Sequence, residues 1–438
     1  MQHISSPDSS GRMPRPAPRT GRLRPFTLLL STIAAAGLLA SCSTSSASSS
    51  PTTSGTQSGA STVADFYTPP QPLPKAAPGT LIRSTVVHQV PGVPQGAVVW
   101  RILFHSTTIT GADQAESGYV IAPSSGDHVP SGGRPVIAWA HGTSGFAAPC
   151  APSLFTSSGG GTGPYLLPGL DQYMSAGYVV AAADYQGLGV SAGVHPYLVG
   201  SSEGRAVLDA TRATRHLLAS TTANKILIYG HSQGGHAALF AGEMAPTYAP
   251  DLNVLGVVAA APATGLSTLI SIIGTPAGTG FLPFSIPTAW SWTQTYSDLP
   301  ATEVFTPAGR AFAQAEVTNG CSEQVSTAIA EKKLTPQGMF VATAETDPVV
   351  MEHAKRNDPG SVRTTVPMLI VQGSADQTVP PPLTDAFVQG IACPAGDQVN
   401  YIREPGATHG SVVFVAAPAI ASWMNMRVAG EAATSTCP

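Results

Sequence analysis

Short apolar runs recur along most of the chain, separated by turns and by stretches in which apolar residues return at helical spacing. The runs that favour strands cover residues 98–105, 119–122, 136–140, 178–183, 226–229, 254–260, 366–371 and 399–403. Helical patterns lie between the later runs. In residues 203–218, for example, apolar side chains share one face, while Arg205 and Asp209 are expected on the other. Alternation of strands with helices predicts an α/β fold whose central sheet is mostly parallel.

One interval between strand-like runs is too long for a simple connection. About 100 residues separate the runs at 254–260 and 366–371, and such a length needs structure or a function of its own. We expect residues 263–360 to form an inserted cap, or lid, between core segments at 80–262 and 361–438. The large apolar residues of the cap either cover a pocket or form the cap's own core. They include Phe281, Leu282, Phe284, Trp290, Trp292 and Phe340.

The N-terminal residues have the pattern of an export signal. Several arginines precede an apolar stretch at 26–40 that is shorter than the ~20 residues of a membrane-spanning helix. We therefore expect residues 1–42 to be a signal peptide, translated from Met1 or from Met13. Its end, Leu39-Ala40-Ser41-Cys42, resembles a bacterial lipobox, which predicts lipidation of Cys42 and a membrane anchor at the cell surface. Cleavage as an ordinary secretory peptide is the alternative.

Residues 43–79 are predicted to be a linker rich in Ser, Thr and Pro. Within it, residues 43–62 carry no charge and are mostly Ser, Thr, Gly and Ala, so they cannot bury a core. A flexible tether of this kind would let the rest of the chain reach a membrane or wall surface.

Composition narrows the possible functions. Only 11% of the 438 residues are charged and the formal net charge is −4, which argues against nucleic-acid binding. No cysteine spacing suggests a metal site, and no Gly-rich phosphate loop follows a strand, so we expect neither metal nor cofactor. A bulky, weakly charged substrate suits this composition better.

The five cysteines agree with export to an oxidising compartment. If Cys42 is lipidated, four remain, and four cysteines allow three pairings. Cys393 and Cys437 belong to the same C-terminal segment and are expected to pair. By elimination Cys150 would pair with Cys321, which would tie the cap to the core.

Gly230-His231-Ser232-Gln233-Gly234 has the pattern of a nucleophile elbow, because it follows a strand-like run and precedes a helical run at 236–244. Such a turn holds a serine in a strained backbone conformation at a helix N-terminus, whose amides stabilise an oxyanion. A Gly-rich turn with a surface serine is the alternative. The strand before the motif and the helix after it favour the elbow.

An acid and a base follow Ser232 in the chain order Ser, Asp, His. Asp376 lies in the loop after the run at 366–371, and His409 lies in the loop after the run at 399–403. Active sites of open α/β sheets collect at the carboxyl ends of the strands, so these loops should converge. We expect Ser232 to be the nucleophile, His409 the base, and Asp376 the acid that orients it.

Other residues offer alternatives for these roles. Asp385 and Asp397 are the other candidate acids. His236 would lie on the elbow helix, where we expect it to pack or cap rather than act as the base. His353 belongs to a charged run that predicts a solvated helix face.

The three side chains predict acyl transfer through a covalent intermediate. His409 would take the proton of Ser232 as it attacks an ester carbonyl, and water would then hydrolyse the acyl-enzyme. Two backbone amides should hold the oxyanion. One belongs to Gln233, and the other comes from residues 141–145, where we favour Thr143.

Three further motifs accompany the elbow, which continues as Gly235-His236-Ala237-Ala238. They are Asp184-Tyr185-Gln186-Gly187-Leu188-Gly189, His195-Pro196-Tyr197 and Glu203-Gly204-Arg205-Ala206-Val207-Leu208-Asp209. Together with the elbow they resemble the secretory lipase family of α/β-hydrolases, over the chain from about residue 80 to the C-terminus. The resemblance implies an α/β-hydrolase fold with an inserted cap, hydrolysis of acyl glycerols or related lipid esters, and a triad at Ser232, Asp376 and His409. Fungal members have an acidic residue in the oxyanion loop, where this chain has His141-Gly142-Thr143.

Two other functions stay open. An acyltransferase or a peptidase would use the same triad, because the shape of the pocket selects the acceptor. A surface lipoprotein that binds lipid without catalysis is the second, and the presence of all three triad residues weighs against it.

Overall fold

The computed structural model describes residues 63–124, 129–155, 165–190 and 193–438. The predicted signal peptide at 1–42, its lipidation site Cys42 and the first part of the predicted linker lie outside these residues.

A nine-stranded sheet organises the described residues. Its strands are β1 (Leu81–Val87), β2 (Ala97–Thr107), β3 (Asp113–Pro123), β4 (Arg134–Ala140), β5 (Val179–Ala183), β6 (Thr222–His231), β7 (Val254–Ala260), β8 (Met368–Gly373) and β9 (Val399–Glu404). Their order across the sheet is β1-β2-β3-β5-β4-β6-β7-β8-β9. The pairs from β1 to β5 are antiparallel, and those from β5 through β4 to β9 are parallel. The predicted α/β fold with a mostly parallel sheet is confirmed.

Helices surround this sheet. The α-helices of the described residues are α1 (Val63–Phe66), α2 (Leu170–Ser175), α3 (Gly200–Leu217), α4 (Gln233–Tyr248), α5 (Leu266–Ile270), α6 (Leu282–Thr295), α7 (Ala301–Val304), α8 (Pro307–Phe312), α9 (Ser322–Glu331), α10 (Pro336–Met339), α11 (Pro348–Arg356), α12 (Pro381–Phe387), α13 (Val412–Val415) and α14 (Ala417–Ala429). Short 3-10 helices cover Ala148–Cys150, Pro152–Leu154 and Pro276–Phe281, and π-helical turns cover Ala313–Val317 and Val388–Ala392. Within the described ranges, none of these helices has the length and apolar character needed to cross a bilayer.

Both faces of the sheet are buried, because successive side chains of a strand point to opposite sides. On β4, Val136 and Ala138 join an apolar cluster that also contains residues of α3, α4 and α12. Ile137 and Trp139 join a second cluster with residues of α2 and α14. The central strands are therefore held rigidly between two helical layers, and the loops at their ends start from fixed positions.

Helices α5 to α11 all lie between β7 and β8. They form a third apolar cluster of their own, in which Trp290, Trp292, Phe305 and Phe340 are buried. Tyr197, which precedes α3, belongs to the same cluster and connects it to the elements around the sheet.

The packed part of the chain begins earlier than expected. The linker was predicted to extend to residue 79, but Phe66 and Tyr67 are buried against Leu103 of β2. The Tyr67 hydroxyl also lies 2.6 Å from Ser153 Oγ. This part of the linker prediction was wrong, because two aromatic side chains within it find an apolar site on the sheet.

Candidate active site

Ser232 occupies a sharp turn between β6 and α4. Its backbone angles are φ 59° and ψ −121°, outside the regions that residues with a Cβ normally adopt. The glycines around it make this turn sterically possible. A Cβ on Gly230 would overlap the backbone of Gly234, and a Cβ on Gly234 would overlap the carbonyl oxygen of Ala140. The turn therefore has the geometry of a nucleophile elbow, with Ser232 at the N-terminus of a 16-residue helix.

His409 and Asp376 meet beside this turn. The Nδ1 atom of His409 lies 2.8 Å from Oδ2 of Asp376. The other carboxylate oxygen accepts hydrogen bonds of 2.9 Å from the amides of Thr378 and Val379, and Gln372 Nε2 donates to Oδ2 at 3.0 Å. Burial raises the pKa of Asp376, but the hydrogen bond and charge of His409 outweigh burial, so the pKa lies below its usual value. Because an ionised carboxylate only accepts, Nδ1 of His409 carries the proton and Nε2 is left as a base.

His231, the second residue of the elbow motif, contacts the loop of His409 directly. Its Nε2 donates to the backbone oxygen of His409 at 3.0 Å, and the two ring centroids are 4.7 Å apart. Burial, together with the nearby His409, lowers the pKa of His231 to about 3, so this side chain stays neutral. Among the described residues, the Ser232 hydroxyl has no hydrogen-bond partner, and catalytic hydrogen bonds are often long before substrate binds.

The alternative acids make different contacts. Asp385 accepts hydrogen bonds from the hydroxyl of Tyr401 at 2.7 Å and from Arg403 at 3.1 Å. Asp397 accepts one from the amide of Thr364 at 2.9 Å. In the described part of the chain, neither carboxylate contacts a histidine, so Asp376 is the acid that the fold brings to His409.

The other two histidines that follow Ser232 in the chain, His236 and His353, are buried. His236 is buried in α4, where its Nδ1 lies 2.8 Å from Glu203 and its Nε2 lies 2.8 Å from the backbone oxygen of Asn357. His353 was expected on a solvated face, and this expectation was wrong. It is only 2% exposed, because it stacks on Tyr296 with ring centroids 3.9 Å apart.

The loop that follows β4 lies against the elbow. A Cβ on Gly142 would lie 3.3 Å from the backbone oxygen of His231. Thr143, the favoured second oxyanion residue, has its hydroxyl 2.8 Å from that of Tyr197. Gln233, the other one, begins α4 directly after Ser232. Thr143 therefore lies on the loop beside the elbow, and Gln233 lies at the first position of the elbow helix.

A short backbone pairing and a disulfide connect this loop to the helices between β7 and β8. The amide of Phe146 donates to the oxygen of Gly320 at 3.1 Å, and the amide of Ser322 donates to the oxygen of Ser144 at 3.2 Å. Cys321, which lies between Gly320 and Ser322, forms a disulfide with Cys150. A second disulfide joins Cys393 to Cys437, and these are the pairings that the sequence favoured.

Ser232 and Gln233 line a pocket of about 690 Å³, a volume that includes its open mouth. Most of its wall is apolar. Leu266, Leu269, Ile270, Phe281, Phe284 and Trp292 contribute to it from the segment between β7 and β8. Val379, from the loop of Asp376, also lines it. Such a pocket suits an apolar acyl group placed beside the serine.

Three residues of this site were not predicted from the sequence. Gln372 supports Asp376, His231 supports the loop of His409, and Glu203 lies behind Gln233, whose Nε2 donates to it at 2.8 Å. Glu203 stands in one of the motifs quoted above, but no pattern assigned it a role. Within the described residues, no group of three or more His, Cys, Asp or Glu side chains is placed to hold a metal.

Comparison with known proteins gives a consistent result. A family model described as secretory lipase matches residues 168–436. A secreted triacylglycerol lipase of Malassezia globosa is 25% identical over 392 residues, 85% of this chain and 80% of that protein. A Mycobacterium tuberculosis protein named "probable inactive lipase" is 25% identical over 383 residues, 84% of this chain and 82% of that protein. The closed structure of Candida antarctica lipase A has the same fold, with a TM-score of 0.70 at 18% identity, over 85% of this chain and 87% of that chain.

Proposed function

The chain belongs to the secretory lipase family, and from this premise we propose that it is an exported serine hydrolase of acyl glycerols or related lipid esters. The family and the relatives support a lipid ester hydrolase of the lipase type. The observation that carries the finer proposal is the 2.8 Å contact between His409 and Asp376 beside the strained Ser232, at the wall of an apolar pocket.

In the proposed reaction Ser232 attacks the ester carbonyl while Nε2 of His409 removes its proton. Ionised Asp376 holds the imidazole in the required tautomer and stabilises its protonated form. The amides of Gln233 and Thr143 hold the oxyanion until the C–O bond to the alcohol breaks, and protonated His409 gives its proton to the leaving oxygen. Neutral His409 then takes a proton from water as the water oxygen attacks the acyl carbonyl, and returns it to Ser232 Oγ as the fatty acid leaves.

The segment between β7 and β8 is the proposed cap, at residues 263–360, between core parts at 80–262 and 361–438. Its support is that residues of this segment, several of them on α5 and α6, supply most of the apolar wall of the pocket that contains Ser232. A cap in this position would select the acyl group, while the triad itself stands on the loops of the sheet.

We propose in addition that Cys42 is lipidated and holds the enzyme at a membrane surface. The support is the lipobox-like sequence before Cys42. Cells that express the full chain should incorporate an alkyne-tagged fatty acid into it, and a Cys42→Ala variant should lose the label and leave the membrane fraction. Equal labelling of both chains would contradict the anchor, and an unlabelled, released wild type would favour an ordinary secretory peptide.

The deciding experiment compares hydrolysis of p-nitrophenyl esters, from butyrate to palmitate, by the full chain and by its Ser232→Ala variant. We expect serine-dependent turnover and covalent labelling of Ser232 by an organophosphate. Ser326→Ala is the matched control, because Ser326 lies on α9 and its hydroxyl donates to the backbone oxygen of Ser322 in the same helix. Equal rates for wild type and Ser232→Ala, without labelling, would favour a lipid-binding lipoprotein. Transfer of the acyl group to an added alcohol faster than hydrolysis would favour an acyltransferase. Cleavage of a peptide amide would favour a peptidase.

A further inference from the structure

One segment of the chain contacts the side chains of both proposed oxyanion residues. This segment, residues 195–203, is called the frame segment here. Tyr197 OH lies 2.8 Å from Thr143 Oγ1, and Glu203 Oε1 accepts a hydrogen bond of 2.8 Å from Gln233 Nε2. We propose that the frame segment fixes the separation of the two oxyanion amides, with Tyr197 and Glu203 as positioning residues. The inference deepens the proposed function and rests on it.

Glu203 can act as a rigid support because both oxygens of its carboxylate have hydrogen-bond partners. The side chain is fully buried. Its Oε1 also accepts from the amide of Leu198 at 2.9 Å, and its Oε2 lies 2.8 Å from His236 Nδ1. Fully satisfied buried networks of this kind restrict their members to one arrangement.

His236 balances the charge of Glu203. Both of its ring nitrogens face groups that only accept, the Glu203 carboxylate and the backbone oxygen of Asn357, so both carry protons. Burial lowers the pKa of His236, but the hydrogen bond and charge of Glu203 outweigh burial and raise it. His236 therefore carries a charge beside the Glu203 carboxylate, which offsets part of the cost of burying that carboxylate.

His195 completes the support of Gln233. Its Nδ1 donates to the backbone oxygen of Gln186 at 2.8 Å, so its Nε2, 2.9 Å from Gln233 Nε2, is an acceptor. Burial lowers the pKa of His195, which keeps it in this neutral form. Both amide hydrogens of Gln233 are thus engaged, and the residue that carries the proposed oxyanion N–H cannot rotate freely.

The frame segment is itself held by helix α6 of the proposed cap. Ser291 Oγ donates to the backbone oxygen of His195 and accepts from the amide of Tyr197 at 2.7 Å. The same helix lines the pocket through Trp292. The position of the proposed cap is therefore linked to the geometry of the proposed oxyanion hole through His195 and Tyr197 of the frame segment.

The first arm of the test measures kcat and KM for p-nitrophenyl butyrate. Glu203→Ala and Tyr197→Phe should each lower kcat about 10-fold to 100-fold. The reason is that displacing an oxyanion donor lowers the rate by as much as, or less than, deleting that donor. KM should change little, because Tyr197→Phe keeps the ring that lines the pocket and Glu203 does not line it. Glu203→Gln should stay near wild type, because it retains an acceptor for Leu198 and Gln233 and a donor for neutral His236.

The second arm uses measurements that would not change if Tyr197 and Glu203 only stabilised the fold. The affinity for an alkylboronic acid, which forms a tetrahedral adduct with the serine and places an oxygen in the oxyanion hole, should fall in parallel with kcat. A double-mutant cycle of Tyr197→Phe with Thr143→Val should be non-additive, because each variant breaks the same hydrogen bond.

The outcomes separate this inference from the proposed function. Ser232-dependent hydrolysis with unchanged kcat and boronate affinity in Tyr197→Phe and Glu203→Ala would overturn the positioning role and leave the hydrolase standing. Wild-type hydrolysis that survives in Ser232→Ala would remove the proposed function, and the positioning role with it. If Glu203→Ala does not fold, Tyr197→Phe with an unchanged melting temperature decides the result.

Discussion

The ionised state of Asp376 decides what His409 can do. Four hydrogen bonds converge on this carboxylate, one of them from His409. Asp376→Asn keeps the shape, but its amide would favour the wrong tautomer of the imidazole. We expect kcat for ester hydrolysis to fall about 1,000-fold to 10,000-fold, with the protein still folded. Steady-state kinetics at pH 8 and a melting curve of the variant measure both.

Asp385→Asn is the matched control for that prediction. Asp385, on α12, is also a carboxylate of the C-terminal segment, but it bonds to Tyr401 and Arg403. Its substitution should leave kcat within about 3-fold of wild type and alter only stability. Loss of activity in Asp385→Asn and its retention in Asp376→Asn would reverse the assignment of the acid.

The residues that the sequence predicted are those whose signal is local. Ser232, Asp376 and His409 each follow an apolar run, and the strand ends bring them to one edge of the sheet. The contacts of Glu203 and Asp209 could not be predicted in this way, because hydrogen-bond partners of both residues lie far from them in the sequence. Asp209 was expected to face solvent, but it is fully buried and accepts hydrogen bonds from Ser106 and Tyr248. Helix α3 is covered on both sides, which a single helical pattern does not reveal.

At the scale of elements, the sequence predicted strands wherever the sheet is buried on both faces. The missed strand was β1, Leu81–Val87, because all of its side chains are half-buried or exposed and it therefore lacks an apolar run. Between β7 and β8 the sequence predicted one inserted segment but not its seven individual helices. Several are short and begin with proline, as at Pro307–Phe312 and Pro336–Met339, so they lack a helical period long enough to recognise.

Helix α5 should control the acyl length that the enzyme accepts. Leu269 lines the pocket, and Leu269→Trp would fill part of it. We expect the ratio of kcat/KM for decanoate over butyrate to fall about 10-fold, because long chains lose contacts that short chains never made. Ser271→Trp, at an exposed position directly after α5, is the control and should keep the wild-type ratio. An unchanged ratio in Leu269→Trp would place the acyl group elsewhere.

The disulfide Cys150–Cys321 joins the 3-10 helix after the proposed oxyanion loop to the start of α9, across 171 residues of chain. Replacing both cysteines by alanine should lower the free energy of unfolding by roughly 2–5 kcal/mol. It should also lower kcat, because the paired backbone at Ser144 and Ser322 loses its covalent brace. Denaturant unfolding and kinetics on one preparation measure both effects.

The second disulfide supplies the comparison. Cys393–Cys437 spans 44 residues and ties the C-terminal residues to a π-helical turn after α12. Its double alanine variant should lose stability and keep kcat. Equal kcat in both double variants would show that the first bridge stabilises the fold without shaping the oxyanion loop.

For the whole molecule, the buried ionisable groups set how stability depends on pH, and they oppose one another. His141 and His231 have pKa values lowered by burial to about 4 and about 3, so they cost stability as the pH falls below about 6.5. Glu116 and Glu243 have pKa values raised by burial to about 8 and about 7. These carboxyl groups cost stability as the pH rises. The free energy of unfolding should therefore be greatest in weakly acidic solution.

Glu116 offers the sharpest test of this balance. It is buried on β3, its Oε2 has no hydrogen-bond partner among the described residues, and burial, followed by the charge of Asp209, raises its pKa to about 8. From about pH 4.5 to 8 the folded protein keeps a proton that the unfolded chain has lost, so the free energy of unfolding falls by up to about 1.4 kcal/mol per pH unit. Glu116→Gln removes this titration. Its melting temperature should exceed that of wild type by a margin that grows from pH 5 to pH 8 and then levels off. Exposed Glu331→Gln should show no such trend, and a constant margin for Glu116→Gln would mean that Glu116 is ionised in the folded protein throughout this range.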